Sequence, residues 1–147
     1  VLHQAGERNF EQTVATYAEQ GVKADVRAFI DDMAAAYTWA DLVVCRSGAL
    51  IVAEVAAAGI AALFVPFAAA VDDHQTRNAQ FLVGADAGRI LPERDLTPAR
   101  LAAELGELLA VGRPRLATMA GNARRVAIID ADIRLADACI AAAGGAR

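Results

Sequence analysis

The chain has 147 residues, a length typical of one domain with a sizeable core. It is 56% hydrophobic and only 5% aromatic, a composition that favours helices packed closely on a sheet over an all-β sandwich. The formal net charge of -4 leaves no basic stripe to displace counterions, which argues against a nucleic-acid partner. We find no apolar run long enough to span a bilayer and no signal peptide.

The cysteines and histidines restrict the redox and metal chemistry that we expect. Cys45 lies in an apolar run and Cys139 in a late helical pattern, so we expect two buried free thiols in a reducing compartment rather than a disulfide. The sequence has no CxxC or HExxH spacing, and its two histidines are far apart. We therefore expect neither a metal site nor a cofactor.

The first forty residues read as strand, helix, strand and helix. A strand near residues 1–3 precedes a helix with apolar residues at helical spacing, which ends at Gly21. Residues 24–30, ADVRAFI, alternate like a second strand, and the following pair of aspartates caps a short helix over residues 33–40. The first residues resemble the end of a strand, so we expect the chain to be a fragment of a larger fold.

The remaining residues continue the same alternation. The predicted elements are, in order, a fully buried strand over residues 41–46, a helix closed by Gly59, a buried strand over 61–67, a helix from about Asp73 to Val83, a short strand over 88–91, a helix with Thr97 as N-cap and Pro98 at its first position, and further helix broken near residues 112–114 and 129. This order predicts a Rossmann-like, doubly wound α/β fold with a parallel sheet. Ligands bind such sheets at the carboxyl ends of the strands.

The turn after the third strand is the first candidate binding element. Ser47, Gly48 and Ala49 are small and leave the first N–H groups of the next helix uncovered, which attracts phosphate. An ordinary N-cap serine would explain the same residues. Glu54 lies about two turns along this helix, on the same side as Ser47 and Leu50. A carboxylate there either belongs to a solvated helix face or holds ribose hydroxyls, as acidic residues do in dinucleotide-binding sheets.

Two other strand ends carry polar groups. At Ile30 the segment FIDD offers an exposed backbone amide and carbonyl, which suit the edge of a planar base, although a capped helix start explains the two aspartates. His74 and Gln75 begin a later helix and are neutral donors and acceptors of the kind that bind sugar hydroxyls. A surface histidine at a helix start is the alternative for His74. His3 and Gln4 also follow a strand, where a plain loop role is the alternative.

Five segments together carry a resemblance to a known family. HQAG, FIDDMAAAY, ADLVVCRSGAL, AEVAAAG and VPFAAAVDDHQTRNA occur in this order and resemble the MurG family of bacterial peptidoglycan glycosyltransferases over nearly the whole chain. The resemblance implies the C-terminal half of a GT-B fold, with residues 1–147 as a single UDP-GlcNAc-binding domain that lacks the N-terminal acceptor domain and the first βα unit. It also implies inverting transfer of N-acetylglucosamine (GlcNAc) from UDP-GlcNAc to undecaprenyl-diphospho-muramoyl-pentapeptide, which converts lipid I to lipid II. The implied location is peripheral, on the cytoplasmic face of the bacterial inner membrane.

The resemblance also implies roles in donor binding. The backbone of Ile30 corresponds to uracil recognition, and the segment 47–51 to the diphosphate. Glu54 corresponds to the acid that binds the ribose hydroxyls, and Gln75, helped by His74, to the contacts with the GlcNAc hydroxyls. The implied binding residues are Ile30, Ser47, Gly48, Ala49, Leu50, Ile51, Glu54, His74 and Gln75.

The sequence departs from the family pattern at two places. Ile51 stands where many relatives have Thr, and Ala68 to Ala70 occupy a loop that often carries a polar residue. The resemblance implies that the acceptor site and its base belong to the absent domain, so we expect no catalytic residue here, and weak UDP binding without turnover. Two alternatives remain open, a non-catalytic nucleotide-sugar-binding subunit of a split GT-B enzyme and a UDP-GlcNAc 2-epimerase.

Overall fold

A computed structural model describes residues 1–69 and 71–144, without the side chain of Val71. Its helices and strands are β1 (Leu2–Gln4), a 3-10 helix (Glu7–Asn9), α1 (Phe10–Glu19), β2 (Asp25–Arg27), α2 (Met33–Trp39), β3 (Leu42–Cys45), α3 (Ala49–Ala58), β4 (Ala61–Phe64), a 3-10 helix (Val71–Asp73), α4 (His74–Val83), β5 (Gly88–Ile90), a 3-10 helix (Glu93–Asp95), α5 (Pro98–Ala110), α6 (Arg113–Val126) and α7 (Ala131–Gly144). The chain divides into two compact units, Val1–Ala40 and Asp41–Arg147, hereafter the first and second units.

In the first unit, β1 and β2 form a parallel pair with α1 packed against β2. The His3 ring lies edge-on to Tyr17, with 3.2 Å between His3 Nδ1 and the Tyr17 hydroxyl. The helix α1 ends before Gly21, whose φ of 65° lies in the left-handed region that glycine adopts without strain. This unit therefore has the predicted order of strand, helix, strand and helix.

In the second unit, the strands form a parallel sheet in the order β3-β4-β5. All four residues of the middle strand β4 are buried, as predicted for an apolar run in a parallel sheet. The prediction of a fully buried β3 is wrong, because Val44 is 45% exposed. Within this sheet β3 has one neighbouring strand, whereas β4 has two.

The core of the second unit is aliphatic. One cluster joins β4 to the helices α5 and α6, and its buried members are Ala61, Leu63, Val65, Leu91, Leu108, Leu116 and Met119. Alternate residues of β4 point to the other side of the sheet, where the Phe64 ring lies against Gly88 of β5. Each large side chain buried in this way contributes about 1.5–3 kcal/mol to folding relative to an exposed one.

Local signals predicted the helix ends correctly. The carboxylate of Asp32 accepts a hydrogen bond from the Ala35 amide at 2.8 Å and caps α2. The Thr97 hydroxyl accepts one from the Arg100 amide at 3.1 Å and caps α5. Gly59 ends α3 with a φ of 70°. The predicted breaks in the late helical region are also present, between α5 and α6 and between α6 and α7.

Two further expectations are corrected. The second strand covers Asp25–Arg27 rather than residues 24–30, because the Ile30 amide bonds to a side chain instead of a neighbouring strand. Both cysteines are free, as predicted. Cys45 is only partly buried, and Cys139 lies exposed on α7, a helix with no buried residue, so the expectation of two buried thiols is wrong.

The predicted fold class is confirmed, since parallel strands flanked by helices make this an α/β protein. The assignment of residues 1–147 to a single domain stays a prediction. Across residues 1–69 and 71–144, no helix combines the length and the apolar character needed to cross a membrane.

Candidate functional site

The N-terminus of α3 is open. Gly48 is the N-cap, and because glycine has no side chain, the N-cap residue makes no side-chain hydrogen bond to this helix end. The first intrahelical bond runs from the Val52 amide to the Gly48 carbonyl at 3.0 Å. The N–H groups of residues 49–51 therefore have no carbonyl partner within the helix, and a helix end of this kind can bind an anion. The alternative of Ser47 as an ordinary N-cap is wrong.

Ser47 lies buried just after β3 and is held by hydrogen bonds to α4, so it is not an exposed N-cap of α3. It is 0% exposed, and its Oγ has no hydrogen-bond partner among the residues that the structure describes. Its carbonyl accepts from the Asn78 side-chain amide at 3.1 Å, and its N–H donates to Gln75 Oε1 at 3.4 Å. An unpaired buried hydroxyl costs about 1–3 kcal/mol, so an acceptor atom at this place would be stabilising.

Glu54 lies on the exposed side of α3. Helical spacing places it on the same stripe as Leu50, which is 79% exposed, while Val52 and Val55 face the core. The carboxylate is therefore not buried in the apolar interior. Its role toward ribose hydroxyls stays a prediction.

The loop after β4, residues 65–69, is held by an arginine from the neighbouring strand end. We call this segment the β4 loop. One guanidinium nitrogen of Arg46 donates to the carbonyls of Val65 and Pro66 at 3.1 and 3.3 Å. A second nitrogen pairs with the carboxylate of Glu93, and the guanidinium lies 5.3 Å from the centre of the Phe67 ring. Arg46 thus fixes the first half of the β4 loop.

Two side-chain acceptors fix the amides of the same loop. Gln75 Oε1 accepts from the Phe67 N–H at 2.9 Å, in addition to its longer contact with Ser47. Glu93 Oε2 accepts from the Ala68 N–H at 2.7 Å. The hydrogen bond from Arg46 and, next, that from Ala68 hold the pKa of the Glu93 carboxyl below its usual range.

Sequence reasoning missed Arg46, Asn78 and Glu93. A signal for two of them was present, because Arg46 directly follows β3 and Glu93 follows β5. Polar residues at the carboxyl ends of adjacent parallel strands lie at one edge of the sheet. Asn78 carries no such signal, since it lies inside α4 and contacts Ser47 only through the tertiary fold.

The predicted sugar-binding residues begin α4. Gln75 is half-buried and His74 is exposed. They follow Asp72 and Asp73, whose φ angles of 55° and 53° are uncommon for residues other than glycine. Of the loop at positions 68–70, Ala68 and Ala69 are exposed and Ala70 lies outside the described residues.

In the first unit, the candidate group at Ile30 is already engaged. Its N–H donates to Gln4 Oε1 at 2.9 Å, and the residue is only 7% exposed. The expectation of an exposed amide is therefore wrong, because the long Gln4 side chain reaches from the end of β1 to this backbone group. A base that bonds to the Ile30 amide has to displace Gln4.

Comparison with known proteins places this arrangement in a family. Residues 1–135 match the family described as Glycosyltransferase family 28 C-terminal domain. The chain belongs to this family. The resemblance to the MurG family is also confirmed by relatives and by a solved structure.

The family 28 relatives are enzymes with longer chains. The chain is 59% identical over 139 residues to the UDP-N-acetylglucosamine--N-acetylmuramyl-(pentapeptide) pyrophosphoryl-undecaprenol N-acetylglucosamine transferase of Aeromonas hydrophila, covering 95% of this chain and 38% of that protein. It is 54% identical over 145 residues to the protein of the same name from Marinobacter nauticus, with 99% and 40% covered. The crystal structure of Acinetobacter baumannii MurG matches with a TM-score of 0.87 at 44% identity, over 92% of this chain and 41% of that one. The chain thus spans about two fifths of the length of these curated relatives.

For this family 28 domain, the GT-B assignment agrees with the structural neighbour. Within the second unit, the structure brings Ser47 and Gln75 into direct contact. The binding roles of the predicted residues stay predictions. Among residues 1–69 and 71–144, no three His, Cys, Asp or Glu side chains are grouped so that they could hold a metal ion.

Proposed function

We propose that this chain supplies the donor site of a glycosyltransferase that moves GlcNAc from UDP-GlcNAc to undecaprenyl-diphospho-muramoyl-pentapeptide, with inversion. One observation carries the proposal: the uncapped N-terminus of α3 beside the buried, unpaired Ser47 hydroxyl, in a chain of the glycosyltransferase 28 family. The names of the relatives, which specify GlcNAc transfer to a pyrophosphoryl-undecaprenol acceptor, support the choice of substrates.

We assign the diphosphate of the donor to the N-terminus of α3. As the bond between the anomeric carbon and the diphosphate breaks, negative charge grows on the leaving UDP. The N–H groups of residues 49–51 and the positive end of the helix dipole stabilise that charge. Because the charge grows as the bond breaks, these groups stabilise the transition state more than the ground state. Removing one such donor in other enzymes costs about 2.7–4 kcal/mol of transition-state stabilisation.

Each unit, taken by itself, offers one group for recognition of a nucleoside. In the second unit, the Glu54 carboxylate on the exposed side of α3 accepts hydrogen bonds from the ribose hydroxyls. In the first unit, the backbone of Ile30 recognises the uracil edge, after a uracil oxygen replaces Gln4 Oε1 at the Ile30 N–H. In this assignment, the Gln4 Oε1 atom and the uracil oxygen bond to the same N–H group.

We assign the GlcNAc hydroxyls to Gln75 and His74 at the start of α4. The Oε1 atom of Gln75 accepts from Phe67 and Ser47, so the side-chain NH₂ is the group that we assign to the sugar. These contacts orient the donor rather than transfer a proton.

We place the acceptor site and the catalytic base outside this chain, in the part of the protein that corresponds to the other three fifths of the relatives' length. We also propose peripheral association with the cytoplasmic face of the inner membrane, where the lipid-linked acceptor would be reached. The single long chains and the transferase names of the relatives support this function over a split enzyme or an epimerase.

A transfer assay with the complete protein tests the proposal. The wild type should transfer label from UDP-GlcNAc to the lipid-linked acceptor. Replacing Glu54 by Ala removes hydrogen bonds to a charged group, each worth about 1.5–3 kcal/mol, and should raise the donor KM at least tenfold. The control Glu11→Ala, on the exposed face of α1, should leave the KM unchanged. An unchanged KM for Glu54→Ala would refute the ribose role, and absence of transfer by the wild type would refute the function.

A further inference from the structure

Glu93 connects the carboxyl ends of three neighbouring strands. It follows β5, its Oε2 accepts from the Ala68 amide in the β4 loop at 2.7 Å, and its Oε1 pairs with Arg46 after β3. Both carboxylate oxygens are therefore engaged, each by a donor from a different loop. A carboxylate can accept such bonds from two directions at once, whereas most other side chains cannot.

The same loop is bonded to a proposed sugar-binding residue. The amide next to Ala68, that of Phe67, donates to Gln75 Oε1 at 2.9 Å. Arg46 also holds the carbonyls of Val65 and Pro66. The position of the Gln75 side chain therefore depends on the β4 loop, and the loop depends on Glu93 and Arg46.

We propose that Glu93 is a positioning residue for the sugar end of the donor site, acting through the β4 loop and Gln75. The inference rests on the proposed function and deepens it, because it assigns a requirement for GlcNAc binding to a residue that does not touch the sugar. Loss of Glu93 removes the hydrogen-bond acceptor of the Ala68 amide and the ion-pair partner of the Arg46 guanidinium. The β4 loop then occupies several positions, and Gln75 loses its fixed orientation.

A second ion pair provides a matched control. Asp86 pairs with Arg115 at 2.6 Å, with side-chain exposures of 61% and 32%, compared with 29% for Glu93 and 41% for Arg46. Asp86 precedes β5 and so lies toward its amino end, whereas Glu93 follows that strand. Both ion pairs are at least partly open to solvent, and such pairs contribute little to global stability. If substitution of Glu93 lowers the ligand affinity and substitution of Asp86 does not, the cause is therefore the position of Glu93 and not the loss of an ion pair as such.

Calorimetric titration of the complete protein with UDP and with UDP-GlcNAc tests the proposal. In Glu93→Ala, the affinity for UDP-GlcNAc should fall by about tenfold, the equivalent of one or two hydrogen bonds, while that for UDP stays within about twofold. Glu93→Gln keeps one oxygen for the Ala68 amide and should lose less. Asp86→Asn should leave both affinities unchanged. Equal losses for the two ligands in Glu93→Ala, or no loss for either, would overturn the positioning role.

Hydrogen exchange separates this inference from the proposed function. Glu93→Ala should speed exchange of the Ala68 and Phe67 amides and leave the amides of β4 unchanged. If the wild type binds neither ligand, the proposed function fails. Unchanged exchange at Ala68 in Glu93→Ala would overturn the role of Glu93 in holding the loop, whatever the ligand results.

Discussion

In the second unit, β4 lies between two strands and all four of its residues are buried, whereas in the first unit β1 and β2 pair only with each other and neither contains a buried residue. Of residues 1–40, all of which the structure describes, only Ile30 is buried. Both units alternate strands with helices, so this alternation alone does not determine burial. Burial depends instead on the number of strands that flank a given strand. A strand with a neighbour on each side and helices packed against it is shielded from solvent.

The candidate binding groups of the two units differ in the same way. The helix N-terminus and the β4 loop belong to a unit with a packed core. The Ile30 amide belongs to a unit in which one side-chain bond, from Gln4, holds the relevant backbone group. We therefore expect the first unit to open locally more often than the second.

The largest effect is expected at Phe64, a fully buried residue of β4. Phe64→Ala should lower the free energy of unfolding by about 3–5 kcal/mol, because it leaves a cavity in a packed core. Urea denaturation measures this change. Phe29→Ala, in the first unit at a side chain that is 66% exposed, should cost less than about 0.5 kcal/mol. Similar losses for the two variants would show that the contrast in packing is wrong.

Gly88 tests the packing of the sheet in the opposite direction. A Cβ atom here would lie 3.0 Å from Phe64 Cε2 and 3.1 Å from the Ala62 carbonyl oxygen. Gly88→Ala should therefore destabilise the chain by about 1–3 kcal/mol through overpacking. Gly121→Ala, in α6 with open space around the added atom, should stabilise it by about 0.5–1 kcal/mol. Thermal denaturation of both variants checks the predicted opposite signs.

Gln4 tests the first unit alone. Gln4→Ala removes the acceptor of the Ile30 N–H, and exchange of that amide should become about fivefold to tenfold faster, as expected for loss of one net hydrogen bond. Exchange in β4 should not change. Gln12→Ala, at an exposed position on α1, serves as the control. An unchanged rate at Ile30 would mean that Gln4 does not hold this amide in solution.

The two thiols should differ in reactivity. Burial raises the pKa of the Cys45 thiol to about 12, so only about one molecule in ten thousand carries the thiolate at pH 8. Cys139 is exposed on α7. Iodoacetamide at pH 8 should alkylate Cys139 first and Cys45 only after denaturation, which peptide mass spectrometry can measure. Equal labelling of the native chain would contradict the burial of Cys45.

The smallest effect concerns acid stability. The hydrogen bond from Arg115 lowers the pKa of Asp86 below its ordinary value of 3.8. A lowered folded-state pKa gives stability that is present above the unfolded-state pKa and is lost as the pH falls through the folded-state value. Asp86→Asn should therefore reduce the melting temperature slightly at pH 7 and leave it unchanged near pH 2. A larger loss at pH 2 than at pH 7 would contradict this assignment.

Helix ends and the order of elements could be predicted because their causes are local. The cap of α2 at Asp32 and that of α5 at Thr97 each bond to an amide three residues later, and Gly59 adopts the left-handed conformation that ends α3. These signals lie within a few residues of the element that they define. The predicted substrates and reaction came from the resemblance to a known family, because residue spacing alone did not identify them.

Burial and long-range bonds could not be predicted in the same way. The exposure of Val44 depends on which strands lie beside β3, and that of Cys139 on whether any element covers α7. The bond from Ile30 to Gln4 joins residues 26 positions apart, and that from Ala68 to Glu93 residues 25 apart. Such pairs are determined by the topology of the sheet, which the alternation of elements leaves open.

The central claim is that this protein binds the nucleotide of a UDP-sugar and selects uridine over other nucleosides. Calorimetric titration of the complete protein with UDP and with ADP tests it most directly. We predict that UDP binds at least about tenfold more tightly than ADP, since one or two base-specific hydrogen bonds account for such a ratio. Equal affinities for the two nucleotides, or no binding of UDP at all, would contradict the assignment.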